Sequence, residues 1–150
     1  MSQSLTRLYV HLVFSTKNRT HFINEKIAND LYSYVGGILN KLDCLPVKIG
    51  GMEEHIHILC CLAKNITIIK LLQEIKQSSS KWLKTKGNEF QNFYWQDGYG
   101  AFTVSPRYVE KLVSYISNQK EHHSKKSFKE EYIEFLERNG IQYDLRYVWD

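Results

Sequence analysis

The 150-residue chain contains no apolar run near the ~18 residues of a membrane-spanning helix, and its N-terminus lacks the small-residue cleavage site of a signal peptide. Cysteine is also scarce, since Cys44, Cys60 and Cys61 are odd in number and form no Cys-x-x-Cys pair. These absences argue against a membrane protein, a disulfide framework and a structural zinc site. They predict a cytoplasmic protein.

The sequence also has no Gly-x-x-x-x-Gly-Lys-[Ser/Thr] loop, internal repeat, low-complexity segment or linker. Without a phosphate-binding loop, we expect no nucleotide cofactor. The length and the hydrophobic fraction of 43% fit one globular domain that spans residues 1–150.

The net charge is only +4, but the lysines are clustered in residues 76–86 and 120–129. Such clusters beside 10 Tyr, 7 Phe and 3 Trp are compatible with contacts to phosphates and stacked bases. Lysine-rich surfaces are common, however, and each cluster taken alone fits a solvated helix face. The candidate DNA-binding lysines lie in and just after the second predicted helix and include Lys76, Lys81, Lys84 and Lys86.

Hydrophobic periodicity predicts the order β-α-β-β-α-β-α-α. This order indicates an α+β fold, close to a ferredoxin-like plan, with helices packed against a mainly antiparallel sheet. A Ser127–Glu130 capping box and Gly140 delimit the last helix, and the aromatic tail 141–150 should pack on the body or on a partner. The other predicted elements are a strand at 7–15, a helix at 24–42, a hairpin around Gly50 and Gly51, a helix at 67–85, a strand at 101–104 and a helix from Ser105 to Glu121.

His55 and His57 lie two residues apart in the apolar strand pattern HIHILCC, so their side chains share one face. Imidazole is the commonest metal ligand and proton shuttle among side chains. Two histidines alone make an incomplete metal site. A pair that merely lies on a solvated face at the end of a strand fits the pattern equally well.

The third predicted helix carries Tyr115, Gln119 and His122 within about 60° of one another, at ~100° per residue. A tyrosine, an amide and a histidine therefore share one edge of a helix that otherwise faces the core. Taken alone, Tyr115 fits an amphipathic residue at the core boundary.

Together these motifs resemble a known family. His-Ile-His on a strand, followed by Tyr-Ile-x-Asn-Gln-x-x-His-His on a helix, is similar to the small single-tyrosine transposases of insertion sequences, within the HUH superfamily and its REP-associated relatives. Further matches are HLVFSTKNR (11–19), FYWQDGYGAFTVS (93–105) and RYVWD (146–150), so the resemblance covers nearly the whole chain.

The resemblance implies a role for each matching residue. Tyr115 corresponds to the nucleophile, His55 and His57 to the ligands of Mg²⁺ or Mn²⁺, and Gln119 to the third ligand. His122 and His123 also match, with no role carried over. The implied substrate is single-stranded DNA with a hairpin, and the implied assembly is a homodimer whose tyrosine helices dock against the partner's histidines.

The expected reaction cuts and rejoins DNA through a 5′-phosphotyrosine, which retains the bond energy and needs no ATP. A metal ion would help here, because a phenol of pKa ~10 is a poor nucleophile at neutral pH. One alternative is a replication-initiator or relaxase-like nickase that uses the same residues. Another is a non-catalytic binder of single-stranded nucleic acid, which leaves the histidine and tyrosine motifs unexplained.

Overall fold

The computed structural model describes residues 2–150 and contains a four-stranded antiparallel sheet. The strand order β2-β3-β1-β4 and the alternation with helices confirm the predicted α+β, ferredoxin-like fold. The strands are β1 (Tyr9–Ser15), β2 (Pro46–Met52), β3 (His55–Cys61) and β4 (Gly100–Thr103). The helices are α1 (Glu25–Lys41), α2 (Ile68–Lys84), α3 (Val109–Ser117), α4 (Gln119–His123) and α5 (Phe128–Arg138).

Local capping explains where three of these helices begin. The side chains of Asn24, Thr67 and Ser127 accept hydrogen bonds from backbone N–H groups in the first turns of α1, α2 and α5. Gly140, at φ +64°, follows the last turn of α5, as the sequence predicted.

The two faces of the sheet have different roles. Alternate residues of β1 and β3, such as Leu12 and Ile58, pack against α1 and α2 in the larger core. The opposite face carries His11, His55 and His57 and lies under α3, α4 and α5. The strand period of two therefore directs the imidazoles to the face that these three helices cover.

The predicted hairpin exists, but its turn lies at residues 53–54 and not at the glycine pair. Gly50 and Gly51 lie inside β2, where Gly50 pairs with His57. A Cβ atom on Gly50 would lie 2.9 Å from Ile116 Cγ2 and 3.0 Å from the Ile116 carbonyl oxygen. This glycine therefore lets α3 approach the sheet closely.

The third predicted helix is not continuous. A short 3₁₀ turn at Pro106–Tyr108 precedes α3, and Asn118 (φ −104°, ψ 31°) separates α3 from α4. This break redirects the chain just before Gln119, which is buried under the helices.

The aromatic tail packs on the body of the same chain. The Trp149 carbonyl accepts hydrogen bonds from Arg19 and Gln96, and the Trp149 ring contacts the small core around α5. Within residues 2–150, no helix combines the length and the apolar character needed to cross a bilayer.

Candidate active site

The site is built on β3, whose histidines are fully buried. The ring centroids of His55 and His57 are 5.0 Å apart, and both side chains point to the helix-covered face. Because alternate strand residues share a face, this pairing follows directly from the His-Ile-His sequence.

The Nδ1 atom of each histidine has a hydrogen-bond partner, and the two partners differ. His57 Nδ1 lies 2.9 Å from His11 Nε2 on β1, and His55 Nδ1 lies 2.5 Å from Glu54 Oε1 in the hairpin turn. These bonds fix both rings so that their Nε2 atoms face the same space. Such outer partners orient ligating histidines in many metal sites.

Gln119 reaches this space from the start of α4. Its Oε1 atom lies 2.9 Å from His55 Nε2 and 3.0 Å from His123 Nε2. The structure thus brings the predicted third ligand to the predicted histidine pair, although the helix break that places it was not predicted.

Tyr115 approaches from α3. Its ring centroid lies 5.8 Å from that of His57, and its hydroxyl donates a hydrogen bond to Glu131. The four residues singled out in the sequence, His55, His57, Tyr115 and Gln119, therefore meet in one site.

Glu131 is the residue that sequence reasoning missed. This carboxylate lies on α5, is 2% exposed, and accepts hydrogen bonds at 3.0 Å from His57 and 3.2 Å from His123. The sequence does contain an indication of this residue. Glu131 lies three residues after Phe128 and four before Phe135, and therefore falls inside the apolar stripe of the helix. An acidic residue in such a stripe is rarely buried without partners.

Burial and mutual contact govern the ionisation of this cluster. Burial opposes ionisation of Glu131, but hydrogen bonds from His123 and His57 hold its pKa well below the usual range. Burial and the neighbouring Glu131 carboxylate raise the pKa of Tyr115 well above that of a free phenol. Burial lowers the pKa of His57, and burial with the neighbouring His57 lowers that of His11.

The donor atoms fit a divalent metal ion. One ligand atom each from His55, His57 and Glu131 lie within 4.8 Å of one another, and the Gln119 amide oxygen contacts the same His55 nitrogen. Two imidazoles with amide and carboxylate oxygens are suitable for Mn²⁺, and the oxygens for Mg²⁺.

The site is assembled within a single chain. The homodimer whose tyrosine helices dock against the partner's histidines stays a prediction. Within one chain, α3 packs closely on its own sheet, where Leu112 and Ile116 cover Leu59 beside Gly50. Tyr115 therefore reaches His57 of its own chain.

The four lysines proposed for DNA binding have different surroundings. The Lys76 ammonium donates hydrogen bonds to the carbonyls of residues 96–98, at 2.7 to 3.1 Å, so it is used within the fold. Lys84 lies 4.4 Å from the ring centre of Tyr94, and Lys86 lies 5.0 Å from that of Trp82. Lys81 is exposed on the same helix. Lys84 and Lys86 therefore each lie beside an aromatic ring, and the role of Lys81, Lys84 and Lys86 in DNA binding stays a prediction.

Comparisons with known proteins indicate the family of the chain. The sequence profile of a family described as "Transposase IS200 like" matches residues 4–119. A comparison with curated proteins finds no match.

Two solved structures share the fold. A candidate transposase of Deinococcus radiodurans R1 is 21% identical, with a TM-score of 0.62 over 79% of this chain and 98% of that chain. A REP-associated tyrosine transposase, solved with a REP hairpin, is 15% identical, with a TM-score of 0.60 over 82% of this chain and 74% of that chain.

The residues matched by the family profile include the histidine pair, Tyr115 and Gln119, and they end before Glu131. Because the profile matches most of the sequence, the assignment of the chain to this family does not depend on the histidine motif alone. The chain belongs to the IS200-like transposase family.

Proposed function

We propose that this chain is a metal-dependent transposase that cuts and rejoins single-stranded DNA at hairpin-bearing element ends through a 5′-phosphotyrosine. The observation that carries the proposal is the convergence of Tyr115 and Gln119 on His55 and His57 in one buried site of a transposase-family chain. A tyrosine beside two oriented imidazoles can serve as a nucleophile next to a metal-binding site, whereas a tyrosine packed in a hydrophobic core cannot.

His55, His57 and Gln119 would hold Mg²⁺ or Mn²⁺, and the carboxylate of Glu131 is near enough to join them. When bound, the ion supplies Lewis-acid stabilisation for the scissile phosphate. His11 and Glu54 keep the histidine rings turned toward that position.

Tyr115 performs the bond exchange. A bond forms between the tyrosine oxygen and phosphorus while the bond from phosphorus to the 3′ oxygen breaks. The phenol gives up its proton, the 3′ oxygen gains one, and the 5′-phosphate stays on the protein. Attack by a returning 3′-hydroxyl reverses these changes and reseals the strand without a nucleotide cofactor.

We propose that this exchange takes place at the histidines of the same chain. Tyr115, Gln119 and both histidines already lie together there, so a homodimer is not required to complete the site. Mixing His57→Ala chains with Tyr115→Phe chains should leave cleavage absent. Recovery of activity in such a mixture would show that tyrosines are exchanged between partners.

A labelled single strand carrying an imperfect palindrome tests the proposal. Wild-type protein with Mg²⁺ or Mn²⁺ should give a cleaved strand and a covalent adduct that survives SDS, and excess EDTA should abolish both. Tyr115→Phe keeps the ring but should lose the adduct, whereas Tyr108→Phe, at an exposed tyrosine just before α3, should keep it.

The outcomes separate the competing functions. Hairpin binding without cleavage would favour a non-catalytic binder. Cleavage without rejoining to a supplied 3′-hydroxyl strand would favour a nickase. Full cleavage in EDTA would contradict the metal assignment.

A further inference from the structure

A cavity of about 400 Å³ opens beside Tyr115, between α4 and α5. Its walls include His122, Lys125, Phe135 and Arg138, and all of its lining residues except Tyr115 come after residue 119. The cavity is therefore a feature of the segment beyond the family match. Its volume lies within the usual range for small-ligand sites.

The rim of the cavity favours an anion. Lys125, Lys126 and Arg138 line it, against the carboxylates of Glu134 and Glu131. Glu134 pairs with Lys126 and lies 3.8 Å from Arg138, so one carboxylate is shared by two cations. Glu131, at the inner end of the cavity, already accepts hydrogen bonds from His57 and His123. Lys125 and Arg138 are exposed and available to a phosphate group.

The inner wall is aromatic. The Tyr115 and His122 ring centroids are 4.4 Å apart, and the Phe135 ring lies edge-on to Tyr115 at 5.8 Å. Planar side chains next to cations are suited to one base and its phosphate.

In a phosphoryl transfer the attacking and leaving oxygens lie roughly in line on opposite sides of phosphorus. The 3′ oxygen therefore leaves on the side away from the Tyr115 hydroxyl, whereas the nucleotide retained as the 5′-phosphate stays joined to Tyr115. A cavity lined by Tyr115 is therefore well placed to receive the retained nucleotide.

We propose that this cavity binds the nucleotide on the 3′ side of the scissile phosphate, and that Arg138 and Lys125 contact the next phosphate along the strand. This inference rests on the proposed function, which it extends with a binding site for the strand that remains on the protein.

The test couples a protein change to a DNA change. The single-stranded hairpin substrate is made with ordinary phosphates only, or with one neutral methylphosphonate at the first position either 3′ or 5′ of the scissile phosphate. Arg138→Gln and Lys125→Gln are compared with Arg107→Gln and Lys111→Gln, which remove the same charges from exposed positions that do not line the cavity.

On the ordinary substrate, each cavity variant should lower kcat/KM for adduct formation about fivefold, the scale of a solvent-exposed ion pair. The controls should stay near the wild-type value. On the substrate with the 3′ methylphosphonate, the wild type should lose a similar factor and the cavity variants should lose little more, because the contact is already missing.

If the protein change and the 3′ methylphosphonate each lower kcat/KM by the same factor whether or not the other is present, the inference is overturned. The proposed function would remain intact. Coupling only to a methylphosphonate on the 5′ side would also overturn it, since the cavity would then hold the leaving strand. Absence of any adduct with wild-type protein would instead overturn the proposed function and this inference together.

Discussion

Replacing His11 with alanine should weaken metal binding without removing any proposed ligand. His11 is 2% exposed and its Nε2 atom lies 2.9 Å from Nδ1 of His57, which is fully buried. The two rings are also stacked, with centroids 5.1 Å apart and planes 17° apart. His11→Ala therefore removes both the hydrogen bond and the packing that hold the His57 ring in place.

The magnitude follows from the buried nitrogen that loses its partner. Leaving a buried polar atom unpaired costs ~1–3 kcal/mol, and loss of an outer partner of a metal ligand typically weakens metal binding ~10–100-fold. We expect a change in the Kd for Mn²⁺ within that range. His11→Gln, whose amide can still hydrogen-bond to His57, should recover part of the affinity.

Mn²⁺ titration by electron paramagnetic resonance or calorimetry measures this change without using DNA cleavage. Tyr94→Ala is a suitable control, because the Tyr94 side chain is 56% exposed and its ring lies 4.4 Å from Lys84, with no contact to the histidines. An unchanged Kd in a folded His11→Ala protein would refute the argument that His11 positions His57.

Three further changes test other parts of the structure. Gly50→Ala would place a Cβ 2.9 Å from an α3 methyl group and should lower the free energy of unfolding by ~1–3 kcal/mol in urea titrations, whereas Gly37→Ala, with open space in α1, should not destabilise. Combined Lys81→Glu and Lys84→Glu should weaken hairpin binding and reduce its log–log salt slope by about 1.5, measured by fluorescence anisotropy; an unchanged slope would exclude phosphate contacts there. Burial lowers the pKa of Lys76 to about 8 from 10.5, although Asp97 opposes this shift. The unfolded chain then holds more protons than the folded one between these values, so the stability of wild type relative to Lys76→Met should rise from pH 8 to pH 10 and stay level below pH 8.

Local sequence patterns accounted for the secondary structure and for most of the site. The period of two in β3 placed His55 and His57 on one face, and the Ser127–Glu130 capping box located the start of α5. Such features depend on neighbouring residues, which a single sequence displays. The order of elements then restricted the sheet to few topologies.

Features that depend on packing between distant segments could not be predicted. Gly50 suggested a turn because glycine is common in turns, but its actual function is to admit α3. Glu131 joins the site because α5 packs across the sheet, 74 residues away from His57 along the chain. The break at Asn118 likewise follows from fitting α3 and α4 to the sheet, since the surrounding pattern is that of an uninterrupted helix.

Under the proposed phosphotyrosine mechanism, the enclosure of Tyr115 with the histidines of the same chain would limit how many DNA ends one molecule can hold. Each chain offers one phenol at this site, and an oxygen that has formed a phosphodiester cannot accept a second strand until it is released. Moving an element requires two ends to be cut and exchanged. A chain with a self-contained site must therefore either process the ends one after the other or work beside a second copy, and the number of adducts per protein molecule should never exceed one.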